Sequence, residues 1–509
     1  MSGSVNTDET RPLLSKTFNE ENEVKSHVAN AKYVLFTNII LSMVNAGFTG
    51  ILAIYFKDSM GLSESFATTA TMAGVAIACS MSMVGGNIAD SFWGHAKTLR
   101  AGLFCLLVAY GVLLASRLTY IFVDNEHLFR IVSCCAICCV YLSGFYKPCI
   151  STLMGDQFLP SEDALRSKYF SWFYMSIQVG SVVSTALAPV LFNNVGYIHR
   201  PTSLKDGPTI LFICILSFLA LGVGVLMVPW KHYVKNPAKG NFLFKCLGIV
   251  WRGMTGKRSA GEEHWLDKSA SVYTREEVED TKHTLNVLKV FITLPLFWGI
   301  FMQMNASWVW QAERMNRDVT LHYRRKSLSF TIPAASVGTA NPLLDIVLIP
   351  AFSYGFYPLC KYLGFPLSEL KRMGLGQLFA VGALIAQSLI ELIMSKHPAG
   401  EVSIWWILIQ YFLISCAEIL LAISAYEFAY SQATARTRGT VTAVWLLTLS
   451  TGSLLAAIFP YIPLSKVILP GTLAGVQFLL FVVFLFISWN YQPRVEEKIE
   501  EIPKGDSLE

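Results

Sequence analysis

The chain has 509 residues, 53% hydrophobic and only 15% charged, with a positive mean hydropathy. Ordinary soluble enzymes carry about a quarter charged residues, so this composition excludes one. The formal charge of +5 comes from 40 basic and 35 acidic residues, and a balance that small gives no ground for nucleic-acid binding.

Apolar stretches of roughly 20 residues recur along the whole length, each able to cross about 30 Å of hydrocarbon as a helix. The predicted spans are 33–55, 67–90, 99–119, 129–153, 169–192, 208–230, 286–310, 337–360, 374–394, 403–430, 440–461 and 468–489. The expected class is therefore an all-α integral membrane protein embedded in the lipid bilayer. Residues 1–32 are polar, with no apolar core and cleavage site of a signal peptide, and read as a flexible cytoplasmic tail. In this tail ETRPLL, with Glu9, Leu13 and Leu14, resembles the acidic dileucine signal that adaptor proteins read for endosomal and lysosomal sorting.

Between the second and third spans, GGNIADSFWGHAKT contains Asp90, Gly94 and Lys97. It resembles the facilitator loop motif, in which small residues let helices approach and an acid and bases tie helix ends together. The fourth span holds CCAICC, Cys134–Cys139, without the second ligand pair or the wet loop that a metal or redox site requires. These cysteines read as small apolar residues, and neither a metal nor a cofactor is expected. The same span ends in GFYKPCISTLMGDQF, where Lys147 stands at membrane depth. An ammonium there is costly unless it is paired or lines an aqueous cavity.

Residues 231–285 form a polar connector between two groups of six spans, 33–230 and 286–490, and VYTREEVEDTKHTLNVLKV within it has helical spacing that runs into the seventh span. Residues 491–509 form a polar C-terminal tail. An even span count puts both termini on one side, and the Lys/Arg bias of the loops makes that side cytoplasmic. The loop 311–330 runs against the bias, because Arg314, Arg317, Arg324, Arg325 and Lys326 fall on the luminal or extracellular side. Lys147, Asp345, Glu418 and Glu427 are the ionisable residues of interest placed inside spans. Glu418 and Glu427 are nine residues apart, which at about 100° per residue puts them on opposite faces of an ideal helix.

The six-plus-six arrangement is that of the major facilitator fold. GFYKPCISTLMGDQF followed by YFSWFYMSIQVGS resembles the paired signature of the proton-dependent oligopeptide transporter family, with Gln178 at the usual asparagine position. FWGIFMQMNASWVWQAERMN, IPAASVGTANPL, RMGLG, QYFLISCAEILLAISAYEFAYSQA and VWLLTLSTGS keep the family order through the second half. The resemblance implies that Lys147 faces a central cavity and that Glu427 holds the amino end of a bound peptide. It further implies that Asn341, Trp298, Trp308 and Trp445 line that cavity. Asp345 stands where peptide carriers place an aliphatic residue, as a replacement proton site or a new partner for Lys147, and Glu418 is a second candidate for coupling or gating.

One family feature is missing. The first-span ExxER run aligns over NIILSMVNAG, where Asn38, Leu41 and Ser42 replace its charges; Thr49 and Met72 replace a cavity arginine and a histidine. None of these side chains titrates near neutral pH, so the usual proton relay is absent. The resemblance thus implies a secondary transporter of di- or tripeptides or related zwitterions by alternating access, in the plasma membrane or an endosomal or lysosomal membrane. The alternatives are a proton-independent facilitator or exchanger of a non-peptide solute, and a transporter-like receptor or scaffold. An enzyme is not expected, since no nucleophile–base pair stands inside the spans.

Overall fold

The computed structural model describes residues 10–123, 125–158, 162–194, 206–235, 242–256, 264–323, 326–432 and 438–491. The N-terminal half comprises α1 (Thr10–Ile54), α2 (Glu64–Ile88), α3 (His95–Val123), α4 (Glu126–Leu142), α5 (Lys147–Gly155), α6 (Asp163–Asn194) and α7 (Gly207–Met227). The connector carries α8 (Phe242–Thr255) and leads into α9 (Arg275–Phe291), α10 (Pro295–Met302) and α11 (Ser307–Glu313). A hairpin, β1 (Asp318–Tyr323) and β2 (Lys326–Thr331), precedes α12 (Ala340–Pro350), α13 (Tyr357–Tyr362), α14 (Glu369–Lys396), α15 (Ile407–Glu418), α16 (Ser424–Gln432), α17 (Arg438–Ile458) and α18 (Ile468–Trp489).

Among the described residues, eleven helical segments are long and apolar enough to span a membrane, and a bent pair raises the number to twelve. Each predicted span has its helix. The bent pair is α9 with the segment Pro295–Glu313, meeting at 46°. Thr274 and Glu277 close a capping box at the start of α9, which fixes where the helix begins. Pro295 sits in the first turn of α10, where its missing N–H breaks no helical bond. Two elements differ from expectation. Helical backbone begins at Thr10, ahead of the apolar run, where a flexible tail was expected. The connector, expected to be polar before α9, contains α8, whose Ile249 packs with Leu266 and Val278.

Two hydrophobic cores divide the molecule. One gathers buried side chains from Ala31 to Tyr233, the other from Val287 to Phe484 together with Met72 of α2. These are the two six-helix bundles of the facilitator layout. We call the end of the molecule bearing α8 the connector end and the opposite one the hairpin end.

The basic loop 311–330 is largely this hairpin, paired from Asp318↔Thr331 to Tyr323↔Lys326. Arg314, just before it, donates to both carboxylate oxygens of Glu391, at 2.6 and 3.1 Å. Arg317 donates to the Ile332 carbonyl at 3.3 Å, while Arg324 and Arg325 lie outside the described residues. Glu391 and Arg117 are charged residues inside helices that the inventory of buried charges omitted. Arg117 of α3 pairs with Asp206 at the start of α7, both nearly inaccessible, and a charge this deep is tolerated because it is paired.

The bundles touch along a line from the hairpin end to mid-depth. Lys57 pairs with Glu313 at 3.1 Å and lies 4.5 Å from the Trp310 ring centroid. Trp310 Nε1 donates to Thr68 Oγ1 at 2.9 Å, and Thr69 Oγ1 donates to the Ala457 carbonyl at 2.8 Å. Deeper, Ser450 Oγ meets Ser80 Oγ at 2.7 Å and donates to the Ala76 carbonyl at 2.9 Å.

Candidate functional site

The fourth span breaks where its sequence says it should. After α4 a tight turn covers Ser143–Tyr146, and α5 restarts at Lys147 with Pro148 in its first turn, a position proline tolerates. Two glycines let α2 press against this break. A Cβ on Gly144 would come within 2.8 Å of the Ala78 carbonyl oxygen, and one on Gly85 within 2.0 Å of that of Phe145. Lys147 is thereby held at the break, half-buried. Among the described residues no carboxylate forms an ion pair with it.

The first-span positions that lost their charges now serve packing. Asn38 Nδ2 donates to Ser176 Oγ at 2.7 Å and to the Phe173 carbonyl at 3.3 Å, both on α6. Leu41 is buried. Gly180 of α6 sits so close to α1 that an added Cβ would lie 2.4 Å from the Ile39 carbonyl oxygen and 2.9 Å from Ser42 Cβ. The crossing therefore has no room for a Cβ at position 180. Met72 is buried and belongs to the core of the opposite bundle.

On the second bundle, Trp298 and Trp445 meet edge to face with centroids 5.4 Å apart, and Trp445 also packs on Phe291 at 5.6 Å. The Trp298 indole nitrogen has no hydrogen-bond partner. Trp308 is fully buried against Tyr411, with centroids 5.0 Å apart, in the same core that holds Trp298 and Trp445.

Glu427 of α16 faces α14. Its Oε2 accepts from Arg372 Nη1 at 3.2 Å, with about half of its side chain exposed, and the Arg372 guanidinium lies 4.2 Å from the Tyr357 ring centroid. Glu418 looks elsewhere, toward α12. A π-helical turn, Ile419–Ile423, separates the two glutamates, so ideal-helix counting fails between them, although their partners remain distinct.

Asn341, Asp345, Gln178 and Glu418 converge into one network. Asn341 Nδ2 donates to Glu418 Oε2 and Ser415 Oγ, each at 3.0 Å. Gln178 Nε2 donates across the bundle boundary to Asp345 Oδ2 at 3.1 Å, and reaches Tyr174 Oη at 3.4 Å. Asp345 is 1% exposed and lies one turn beyond Asn341 on α12, whose amide holds Glu418, so the two carboxyls are neighbours. Pairing of Asp345 with Lys147, one of the two sequence expectations, is not what the structure contains. Tyr174 and Ser415 are members that sequence reasoning missed, each one turn or less from a residue it had singled out.

The loop motif is not a loop. Ala89–Trp93 continues α2 as a π-helical turn, and Gly94 ends it with φ +74°, which only glycine adopts without strain. Lys97 is exposed, and of Asp90 only the backbone is described. Glu9 lies outside the described residues, and of Leu13 and Leu14 only helical backbone is described. No group of metal-ligating side chains gathers among the described residues.

Solute carrier family 15 member 2 from Oryctolagus cuniculus is 26% identical over 82% of this chain and 57% of its own length. The chain thus spans little more than half of that relative. The crystal structure of the POT family transporter PepTSo matches with a TM-score of 0.77 at 21% identity, covering 91% of this chain and 98% of that one. A POT family transporter in complex with a thioalcohol-conjugated peptide matches with a TM-score of 0.69 at 17% identity, covering 90% and 96%. At those identities the likeness is one of fold. The POT family (PTR2) model matches residues 102–466, far more than half of the sequence, and the chain belongs to that family.

Proposed function

We propose that the chain moves a small peptide or a related zwitterionic solute across a membrane by alternating access of its two bundles. Lys147 carries the reading: a half-buried ammonium at a helix break, without an ion pair among the described residues. Such a charge is costly until something pairs with it, and a substrate carboxylate has the right sign. Glu427 on the other bundle offers the complementary charge, once a substrate ammonium displaces Arg372. The Trp298–Trp445 pair adds broad apolar area that tolerates varied side chains. The peptide complex of a POT family relative supports this class of ligand.

In this reading the hairpin end is shut and opens when Lys57–Glu313, Trp310–Thr68 and Thr69–Ala457 part. A proton-independent exchanger is the second reading, favoured by the packing roles of Asn38, Leu41 and Ser42. The Lys/Arg bias supports cytoplasmic termini, and ETRPLL supports sorting to endosomal or lysosomal membranes.

The test is thermal unfolding of the purified protein with dialanine, other dipeptides, free amino acids and organic anions. A ligand at a hundred times its Kd stabilises by about 2.7 kcal/mol. Dipeptides should raise the transition temperature. A response only to organic anions overturns the substrate class, and no response to any solute favours a receptor or scaffold.

A further inference from the structure

The carboxyl pair of Asp345 and Glu418 has an electrostatic problem that its neighbours do not solve. Asp345 Oδ2 takes the Gln178 amide and Glu418 Oε2 takes the Asn341 amide. Asp345 Oδ1 is buried with no donor among the described residues. No described lysine or arginine pairs with either acid. The titratable groups facing the pair are Tyr174 from α6 and Cys416 from α15, both uncharged in their ordinary state at neutral pH. Two neighbouring carboxylates without a cation repel strongly in a poorly solvated interior. An orphaned buried acceptor adds a further penalty.

One proton placed between the two acids removes both penalties. It leaves the pair with a single negative charge and gives Asp345 Oδ1 its missing donor, as in acid dyads that share one proton. We infer that Asp345 and Glu418 form a one-proton binding site within the second bundle, read out across the bundle boundary by Gln178. The proton comes from water and returns to it, and no other reactant is needed. On its departure the two like charges push α12 away from α15. Asp345 is tied to α6 through Gln178, so the displacement strains the contact between bundles. Protonation therefore favours the arrangement closed at the hairpin end, and deprotonation loosens it. This link to movement rests on the transport reading, whereas the shared proton does not.

Infrared difference spectroscopy of the protein in lipid membranes, stepped from neutral to alkaline pH, where ordinary exposed carboxyls are already ionised, detects the site without any substrate. The wild type should show a protonated-carboxyl stretch that disappears as pH rises and shifts in heavy water. Asp345→Asn and Glu418→Gln should each move the midpoint of that loss toward acid by at least tenfold in proton concentration, because an amide partner can donate to the remaining carboxylate. The double variant should lack the band. Gln178→Met keeps both acids and should retain a titrating band, while protection at the hairpin end, taken relative to the intrinsic amide exchange at each pH, no longer varies with pH. The inference is overturned if the wild type has no such band, or if the double variant keeps it. It is equally overturned if both single variants leave the midpoint in place. Dialanine-induced stabilisation of the wild type, measured alongside, reports on the transport reading separately: its absence removes that reading and leaves the band as evidence for the proton site.

Discussion

Substituting Lys57 by methionine should loosen the hairpin end by an amount the geometry allows one to work out. The ammonium makes two contacts across the bundle boundary, 3.1 Å to Glu313 and 4.5 Å to the Trp310 ring centroid. Its side chain is 32% exposed and that of Glu313 44%, so solvent screening limits the ion pair to about 0.2–1 kcal/mol. A cation over an aromatic face at such a site adds about 0.5–1 kcal/mol. Together the loss is about 0.7–2 kcal/mol, a shift of about 3–30-fold in the closed-to-open ratio. Glu313→Gln removes only the ion pair and should shift the ratio by less, about 1.4–5-fold. Hydrogen–deuterium exchange followed by mass spectrometry, on peptides covering Glu64–Met72 and Ser307–Met315 in lipid nanodiscs, reads the opening directly. Exchange in both segments should accelerate in the order Lys57→Met, then Glu313→Gln, then wild type. Unchanged exchange in Lys57→Met, or an equal effect of the two variants, refutes the latch.

Three other outcomes follow from named contacts. Arg117→Ala leaves Asp206 buried without its partner, which should cost about 3–5 kcal/mol and lower the transition of the first bundle by about 6–20 °C. The paired replacement Arg117→Met with Asp206→Leu should recover most of that loss in thermal unfolding followed by tryptophan fluorescence. Glu427→Gln should abolish stabilisation by dialanine without lowering the transition of the free protein, since the side chain is half-exposed and bonded only to Arg372 among the described residues; unchanged dialanine affinity makes it structural. Leu13→Ala with Leu14→Ala should move a fluorescently tagged protein from endosomal or lysosomal membranes to the cell surface, and an unchanged distribution leaves ETRPLL as tail sequence.

The helices were legible because a bilayer demands long apolar runs, and each predicted span has its counterpart. The signals that failed were those that depend on neighbours. Residues 318–331 were read as a charged loop, and their pairing as a hairpin was invisible without knowing which strand faces which. Trp308 and Trp445 match their motifs equally well and share one core, yet which ring each meets, Tyr411 or Trp298, was set by the packing. Asp345 stood out as an acid in an aliphatic position, but its partner could not be read along the chain, because Glu418 is on α15 and Gln178 on α6. The loss of charge at Asn38, Leu41 and Ser42 was plain in sequence. Its physical setting, a crossing with α6 so close that a Cβ at Gly180 has no room, was not.

That tight crossing bears on Lys147. A first span packed through Asn38 onto Ser176 and Phe173 presents no acid from these positions, and Asp345 is occupied with Glu418 and Gln178. Glu427 is held by Arg372. The described acids nearest in role are thus engaged elsewhere, and the charge that completes Lys147 comes with the solute. Truncating one side of a desolvated charge pair costs about 2–5 kcal/mol, so Lys147→Ala should weaken binding of dialanine by about 30-fold or more. The amidated analogue has no carboxylate to lose, and should bind mutant and wild type about equally. Isothermal titration of both ligands against both proteins separates the roles. If the substitution weakens dialanine and its amide by the same factor, Lys147 supports the helix break rather than the substrate, and the assignment of the carboxylate end fails.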